Sequence, residues 1–292
     1  MSLNLGLNKA KAALSAKADT GSPGRPSSPE SAPNDDSGWG ETAKIIVHAL
    51  LIALVVRVFF YQPFNIPSGS MKSTLLVGDF LFASKMSYGY STYSFPQTLD
   101  IPIVNISIPL RPQHMFSGRF LGHEPRRGDV AVFKLPRDNS TDFIKRVIGL
   151  PGDEIETRHG VLFINGQAVP KNRVADFVSM HEDGQMRASP RYEETLPNGV
   201  KYTVLDTVDE GPGDNKGPYK VPPGHYFMMG DNRDNSQDSR FSAVGFVPLE
   251  NFVGRADILF FSAAIDEPGT CTLAPWTWAG CVRWRRILKF VR

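Results

Sequence analysis

Residues Ile45 to Phe60 read IIVHALLIALVVRVFF, an almost wholly apolar run that limits the chain to a membrane-anchored protein or one built round a buried helix. Extended from Ala43 to Phe64, the segment gives about 33 Å of helix, enough to cross a bilayer. The interior His48 and Arg57 favour the buried helix. Against it, Lys44 and Arg57 stand near the ends, where basic stems reach the headgroups, and Phe59, Phe60 and Tyr61 resemble an interfacial aromatic belt. His48 is unexplained. A cleaved signal peptide fits poorly, because the run begins far from Met1 and Gln62-Pro63-Phe64 lacks a small-residue cleavage pattern. One uncleaved anchor over residues 43–62 is therefore expected. Arg25 and Lys44 precede it and no lysine or arginine follows until Lys72, which places the N-terminus in the cytoplasm and the large remainder outside.

The flanking composition narrows the classes further. Residues 1–42 pass from a weakly basic stretch with Lys9, Lys11 and Lys17 into a run rich in Pro, Gly and Ser, which cannot bury enough apolar surface to fold, so a disordered cytoplasmic tail is expected. With 32 Lys+Arg against 30 Asp+Glu, the chain has no general footprint for nucleic acid. The two cysteines, Cys271 and Cys281, supply neither a four-ligand zinc site nor a disulfide-dense scaffold, though they could pair with each other. No cofactor or metal is expected.

After the anchor the pattern is one of strands and turns. Arg127–Phe133 and Asp142–Ile148 are short β-branched or aromatic runs, and Val161–Gln167 carries the Asn-Gly of a hairpin. Gly-Asp pairs at 78–79, 128–129, 152–153 and 230–231 punctuate the apolar runs. A mainly β protein is expected: an antiparallel catalytic body over 63–153 and 224–265, with a smaller β subdomain inserted at 154–223. The end of the chain, 266–292, mixes aromatics with Arg283, Arg285, Arg286, Lys289 and Arg292. It reads equally as a docked terminal element or as an interfacial segment held by apolar area and anionic lipid.

Chemistry must come from an unusual base. There is no GxSxG elbow, HExxH, P-loop or EF-hand, and no histidine sits in a catalytic signature. Pro67-Ser-Gly-Ser-Met71 alone is a common turn. In Asp142–Ile148, alternation puts Phe143, Lys145 and Val147 on one face and Ile144, Arg146 and Ile148 on the other. Lys145 is then either an edge lysine reaching into water or a buried amine whose lowered pKa lets it accept a serine proton. Gly230-Asp-Asn-Arg-Asp-Asn-Ser236 fails as a calcium loop, since Arg233 takes a ligand position and Ser236 replaces the turn glycine.

Taken together, Pro67–Met71 with Thr74-Leu75, Arg127-Gly-Asp129, Phe143–Arg146 with Gly149–Asp153, and Gly230–Ser236 with Asp238-Ser-Arg240 resemble the ordered motif boxes of bacterial type I signal peptidases. The resemblance implies a Ser-Lys serine endopeptidase in the bacterial inner membrane, single-pass, with its catalytic body on the periplasmic or extracytoplasmic side. It would cut signal peptides from exported preproteins after small residues. Ser70 would be the nucleophile and Lys145 the general base. The oxyanion hole would combine the Ser68 hydroxyl with the Ser70 backbone N–H, and Ser236 would hydrogen-bond Lys145. Asp231, Arg146, Asp238 and Arg240 would brace the site, while Phe64, Ile66, Phe143 and Ile144 would line small substrate pockets. Signal peptides, membrane lipid and the secretion translocon are the implied partners. Lys72-Ser73 departs from the apolar residue and proline common in the family, which implies a less rigid turn after the nucleophile. The competing readings are a Ser-Lys maturation protease for one pilus or conjugation protein, and a non-catalytic, membrane-tethered signal-peptide binder.

Overall fold

The computed structural model describes residues 37–95, 98–101, 106–109, 118–180, 185–267, 271 and 278–291. The expected tail therefore falls outside the described residues as far as residue 36. Helix α1, Ser37–Phe59, is apolar on all sides and about 35 Å long at about 1.5 Å per residue. It is the one described helix long and apolar enough to cross a bilayer, and none of its apolar stretch is covered by protein. It ends before the expected limit of residues 62–64. Pro63 has no N–H for a helix, and Tyr61–Asn65 instead forms strand β1, antiparallel to β2 (Asp79–Ser84) with Phe64 opposite Leu81.

The body is mainly β, as expected. After a two-stranded ribbon of β3 (Thr98–Ile101) and β4 (Ile106–Pro109) come β5 (Val130–Lys134) and β6 (Asp142–Gly149). Residues 154–220 then supply β7 (Glu154–Arg158), β8 (Val161–Ile164), β9 (Gln167–Ala168), β10 (Lys171–Met180), β11 (Met186–Thr195), β12 (Lys201–Leu205) and β13 (Lys216–Lys220). The chain returns through β14 (His225–Met229), β15 (Val247–Pro248) and β16 (Phe252–Ser262), and α2 (Trp278–Cys281) lies near its end. One antiparallel seven-stranded sheet has the order β1-β2-β16-β5-β6-β14-β15; the strands of 154–220 form two sheets of their own, β10-β11-β12 and β13-β7-β8-β9. Asn165 and Gly166 both take positive φ in the β8–β9 turn, as an Asn-Gly hairpin requires.

Strand alternation buries the main sheet on both faces. Val132 joins a cluster with Ile66, Met71, Leu75 and Leu81, whereas its neighbours Ala131 and Phe133 join Val147, Met228 and Phe252. A third cluster packs Ile148, Phe227 and Met229 of the main sheet against Ile155, Leu162 and Val204 of the inserted strands. The insertion is thus continuous with the core beside β6 and β14.

The C-terminal segment is docked. Cys271 and Cys281 form a disulfide, Arg283 pairs with Asp266 and Glu267, and Arg286 grips the buried Asp79 with both Nε (3.0 Å) and Nη2 (2.5 Å). Arg283 and Arg286 therefore point inward, while Trp284, Leu288 and Phe290 stay exposed.

Candidate active site

Ser70 is held by backbone on both sides. Ile66 N–H donates to Asp79 O at 2.9 Å and Gly78 N–H returns to Ile66 O at 3.0 Å, so β1 runs into a short 3-10 turn, Gly69–Met71, pinned by the buried Met71 and Leu75. From the loop after β14, Asn232 N–H donates to Ser70 O at 3.0 Å and its Nδ2 to Gly69 O at 2.9 Å. Gly230 must lack a side chain here. A Cβ on it would lie 2.2 Å from Ser236 Oγ and 2.6 Å from Ser70 O.

Lys145 occupies the middle of β6. It pairs with Ala131 of β5, but on the other side β14 stops at Met229 opposite Arg146, so the sheet is open beside Lys145. There its Nζ lies 2.6 Å from Ser70 Oγ and donates to Ile144 O at 3.0 Å. The amine is 5.3 Å from the Phe143 ring centroid, the same-face neighbour that alternation assigns to it. Lys145 is buried, and that desolvation lowers its pKa to about 8, against the opposing charges of Asp238 and Asp231. The two carboxylates oppose weakly because each is already neutralised by an arginine.

Those pairs are bidentate. Arg146 donates from Nε and Nη2 to Asp231 at 2.9 and 2.6 Å, and Thr74 Oγ1 adds a bond to Asp231 Oδ2 at 2.5 Å. Arg240 donates from Nε and Nη2 to Asp238 at 2.9 Å each, and Asp238 Oδ2 accepts Gly230 N–H at 3.0 Å. Burial works to raise the Asp238 pKa, yet Arg240 keeps it below the usual carboxylate value. Breaking one partner of such a pair would leave a buried charge uncompensated, at a cost of about 3 to 5 kcal/mol.

The other sequence-predicted residues distribute unevenly. Phe64, Ile66 and Ile144 share one apolar cluster, but Phe143, one residue from Ile144, turns to the opposite face and packs with Phe133 and Val147. Ser68 is exposed, its Oγ 3.5 Å from Ser70 Oγ. The expected hydrogen bond between Ser236 and Lys145 is not formed; Ile144 O takes the amine's donor, and the buried Ser236 hydroxyl faces the Asp238 carboxylate, whose pKa it helps to lower. The turn after Ser70 is also better fixed than expected. Ser73, at φ 121, bonds Thr203 Oγ1 at 2.6 Å, and Lys72 Nζ sits 5.9 Å from the Phe177 ring centroid.

Several supporting residues carried no local signal. Glu194 of β11 is buried and takes Arg233 bidentately at 2.8 and 2.5 Å, while Tyr202 OH donates to Glu194 at 2.5 Å. The Tyr202 ring also lies 4.3 Å from the Arg146 guanidinium. Both come from the insertion, more than a hundred residues from Ser70. Arg286 reaches Thr74 O at 2.9 Å from the far end of the chain. Thr74, Asn232 and Arg233 could have been picked out, since they lie within the quoted motifs.

Among the described residues one group of carboxylates could hold a cation, and it includes neither Asp231 nor Asp238. Asp206, Asp214 and Asp234 each bring an oxygen within 4.8 Å of the others, but Lys171 already pairs with Asp206.

Residues 39–261 match the family described as signal peptidase, peptidase S26. The chain is similar to the signal peptidase I of Rickettsia typhi, 41% identical over 222 residues covering 74% of this chain and 78% of that protein. It is also similar to that of Rickettsia rickettsii, 40% identical over 265 residues covering 86% and 91%. A solved signal peptidase I from Enterococcus faecalis V583 aligns at 28% identity over 46% of this chain and 97% of that one, with a TM-score of 0.27, which leaves the assignment to the sequence matches. The family model spans the segment that carries Ser70, Lys145 and the Gly230–Arg240 loop, and the relatives cover most of the sequence: the chain belongs to the signal peptidase I family, peptidase S26.

Proposed function

We propose that this membrane-anchored signal peptidase cleaves preproteins by attack of Ser70 Oγ on the scissile carbonyl, with the neutral amine of Lys145 as general base. The observation that carries the reading is the 2.6 Å contact between Ser70 Oγ and a buried lysine whose pKa falls to about 8. A neutral amine has one lone pair and two N–H donors. In the neutral amine the lone pair would accept from the Ser70 hydroxyl across the 2.6 Å contact, while one N–H goes to Ile144 O. The second N–H suits Ser236, whose buried hydroxyl lies against Gly230 close to Ser70 O and can accept from the amine while donating to the Asp238 carboxylate.

As Oγ bonds to carbon, its proton passes to Lys145 Nζ, and the resulting ammonium protonates the departing amine. The acyl-enzyme is then hydrolysed by water, with Lys145 again taking the proton. Ser68 Oγ and the Ser70 backbone N–H would receive the oxyanion. Arg146–Asp231 ties β6 to the loop after β14, and Arg240–Asp238 holds that loop closed through Gly230 N–H and Arg233 O. Phe64, Ile66 and Ile144 would form the apolar wall that admits only small side chains, and Phe143 would act from the lysine side.

The absence of a lysine or arginine between Arg57 and Lys72 supports a body on the extracytoplasmic side of the bacterial inner membrane, with a cytoplasmic N-terminus. The exposed Trp284, Leu288 and Phe290 support contact with membrane lipid beside the signal peptide. Residues 63–153 and 224–265 serve as the catalytic body and 154–223 as the bracing insertion.

The test is incubation of the lipid-reconstituted chain with a panel of preproteins, reading the new N-termini by mass spectrometry. One cut in each, following small residues, is expected. Cutting of a single preprotein would favour a specialised maturation protease, and no cutting would leave a binder. Within this scheme Ser68→Ala keeps the backbone donor and loses one side-chain donor, so kcat should fall by about 10²- to 10³-fold with KM little changed. An unchanged kcat would remove Ser68 from the oxyanion site.

A further inference from the structure

A second lysine is as buried as Lys145, and the chemistry above does not use it. Lys85, at the end of β2, is 1% exposed, and among the described residues no carboxylate pairs with it. Nor does it touch a serine hydroxyl, so it is not a second dyad. Its Nζ donates to Val58 O at 3.1 Å and to Ser94 O at 2.5 Å, and its backbone N–H donates to Phe60 O at 2.9 Å. The neighbouring Tyr90 OH donates to Phe59 O. Three consecutive carbonyls, 58 to 60, are therefore taken by one short segment of the body.

These carbonyls belong to the last turn of the membrane span. A helix end leaves its final C=O groups without intrahelical partners, and they carry partial negative charge, so an ammonium is the group best suited to cap them. The capping is reinforced by packing. Phe59 lies edge-on to Tyr90 and Phe95, at ring-centroid distances of 6.4 and 6.2 Å. Burying an unpaired lysine is costly, and desolvation drives its pKa down to about 8. Apolar residues could have filled the same volume, so the cost is met for the sake of the Val58 and Ser94 carbonyls, which only the side chain reaches; Phe60 O is taken by the Lys85 backbone and Phe59 O by Tyr90.

From Phe60 the chain passes directly into β1 and then Ser70. We propose that Lys85 is a positioning residue for membrane-embedded substrates: by tying Val58 O of the anchor's last turn to Ser94 O of the body, alongside the bonds that hold Phe59 and Phe60, it fixes the distance of Ser70 from the membrane end of the anchor. A signal peptide lying in the same bilayer presents its scissile bond at a set height, which a fixed Ser70 meets without search. A soluble peptide has no such constraint.

The inference rests on Ser70 being the attacking residue, and the test separates the two. The full chain, in phosphatidylethanolamine–phosphatidylglycerol vesicles, is assayed on a membrane-inserted preprotein and on a soluble peptide with the same cleavage sequence. Lys85→Met preserves volume and removes the cap; kcat/KM for the preprotein should fall by about tenfold while that for the peptide stays within about twofold. Insertion of Gly-Gly between Phe60 and Tyr61, which frees the last turn and leaves Lys85 intact, should reproduce this split. Equal loss on both substrates in Lys85→Met would make Lys85 a support of the body's fold, and a preprotein rate unaffected by the insertion would remove the clamp. A failure of the Ser70 reading would appear instead as peptide cleavage that persists without the Ser70 hydroxyl.

Discussion

Ser70→Ala is expected to leave a folded, membrane-inserted protein that cleaves neither preprotein nor peptide, with kcat reduced on the order of 10⁶-fold, as when the nucleophile of a serine protease is removed. The hydroxyl is the only atom of Ser70 that the chemistry uses. The backbone carbonyl, held by Asn232, and the apolar anchors Met71 and Leu75 are untouched, so stability should change by less than about 1 kcal/mol. Loss of the hydroxyl leaves Lys145 Nζ with Ile144 O as its remaining bond. Lysine can then still titrate, but no acyl-enzyme forms. The measurement is single-turnover cleavage with mass detection of the acyl intermediate: wild-type chain should gain the mass of the substrate's signal-peptide fragment at Ser70, and the alanine protein should gain none. Cleavage above about one part in 10³ by a folded variant would move the nucleophile elsewhere.

The parts of this site that were legible in the sequence are those carried by short, ordered motifs. Ser70, Lys145 and the Gly230–Arg240 loop lie together because the Ser70 motif follows β1, the loop follows β14, and β14 stops short and leaves mid-β6 open beside Lys145. What the motifs could not show is the long-range bracing. Glu194 and Tyr202 look like ordinary strand residues until β11 and β12 are laid against Arg233, and Arg286 looks like interfacial charge until Asp79 receives it. Nothing in local spacing encodes such contacts. The end of the anchor differs from the expectation for a mixed reason: Pro63 is a local stop signal within Tyr61–Phe64, whereas the pairing with Leu81–Ser84 that makes the segment a strand is long-range. Phe143 and Ile144 were assigned one role between them, although the period of two that placed Lys145 beside Phe143 also sends Ile144 to the other face.

The acidic limb of the kcat/KM profile should lie near pH 8, set by Lys145, with activity rising about tenfold per pH unit below it. The sign follows from the role: the base must be deprotonated, so the protonated fraction below its pKa is inactive. An unperturbed lysine near 10.4 would be only about 0.4% neutral at pH 8, whereas one with a pKa of about 8 is half neutral there. Burial supplies the shift, and the neutralisation of Asp231 by Arg146 and of Asp238 by Arg240 keeps nearby carboxylates from reversing it. Lys145→Arg tests the same point at fixed charge. A guanidinium stays protonated at any working pH, so the arginine variant should be as inactive as Lys145→Ala, each losing at least about 10³-fold in kcat. Lys85, which also has a pKa near 8, supplies the necessary control. If the limb belongs to Lys145, it remains near 8 in Lys85→Met measured on the soluble peptide; a limb that moves with Lys85, or one that lies near 10 in the wild-type chain, would make Lys145 a structural cation and require another group to activate Ser70.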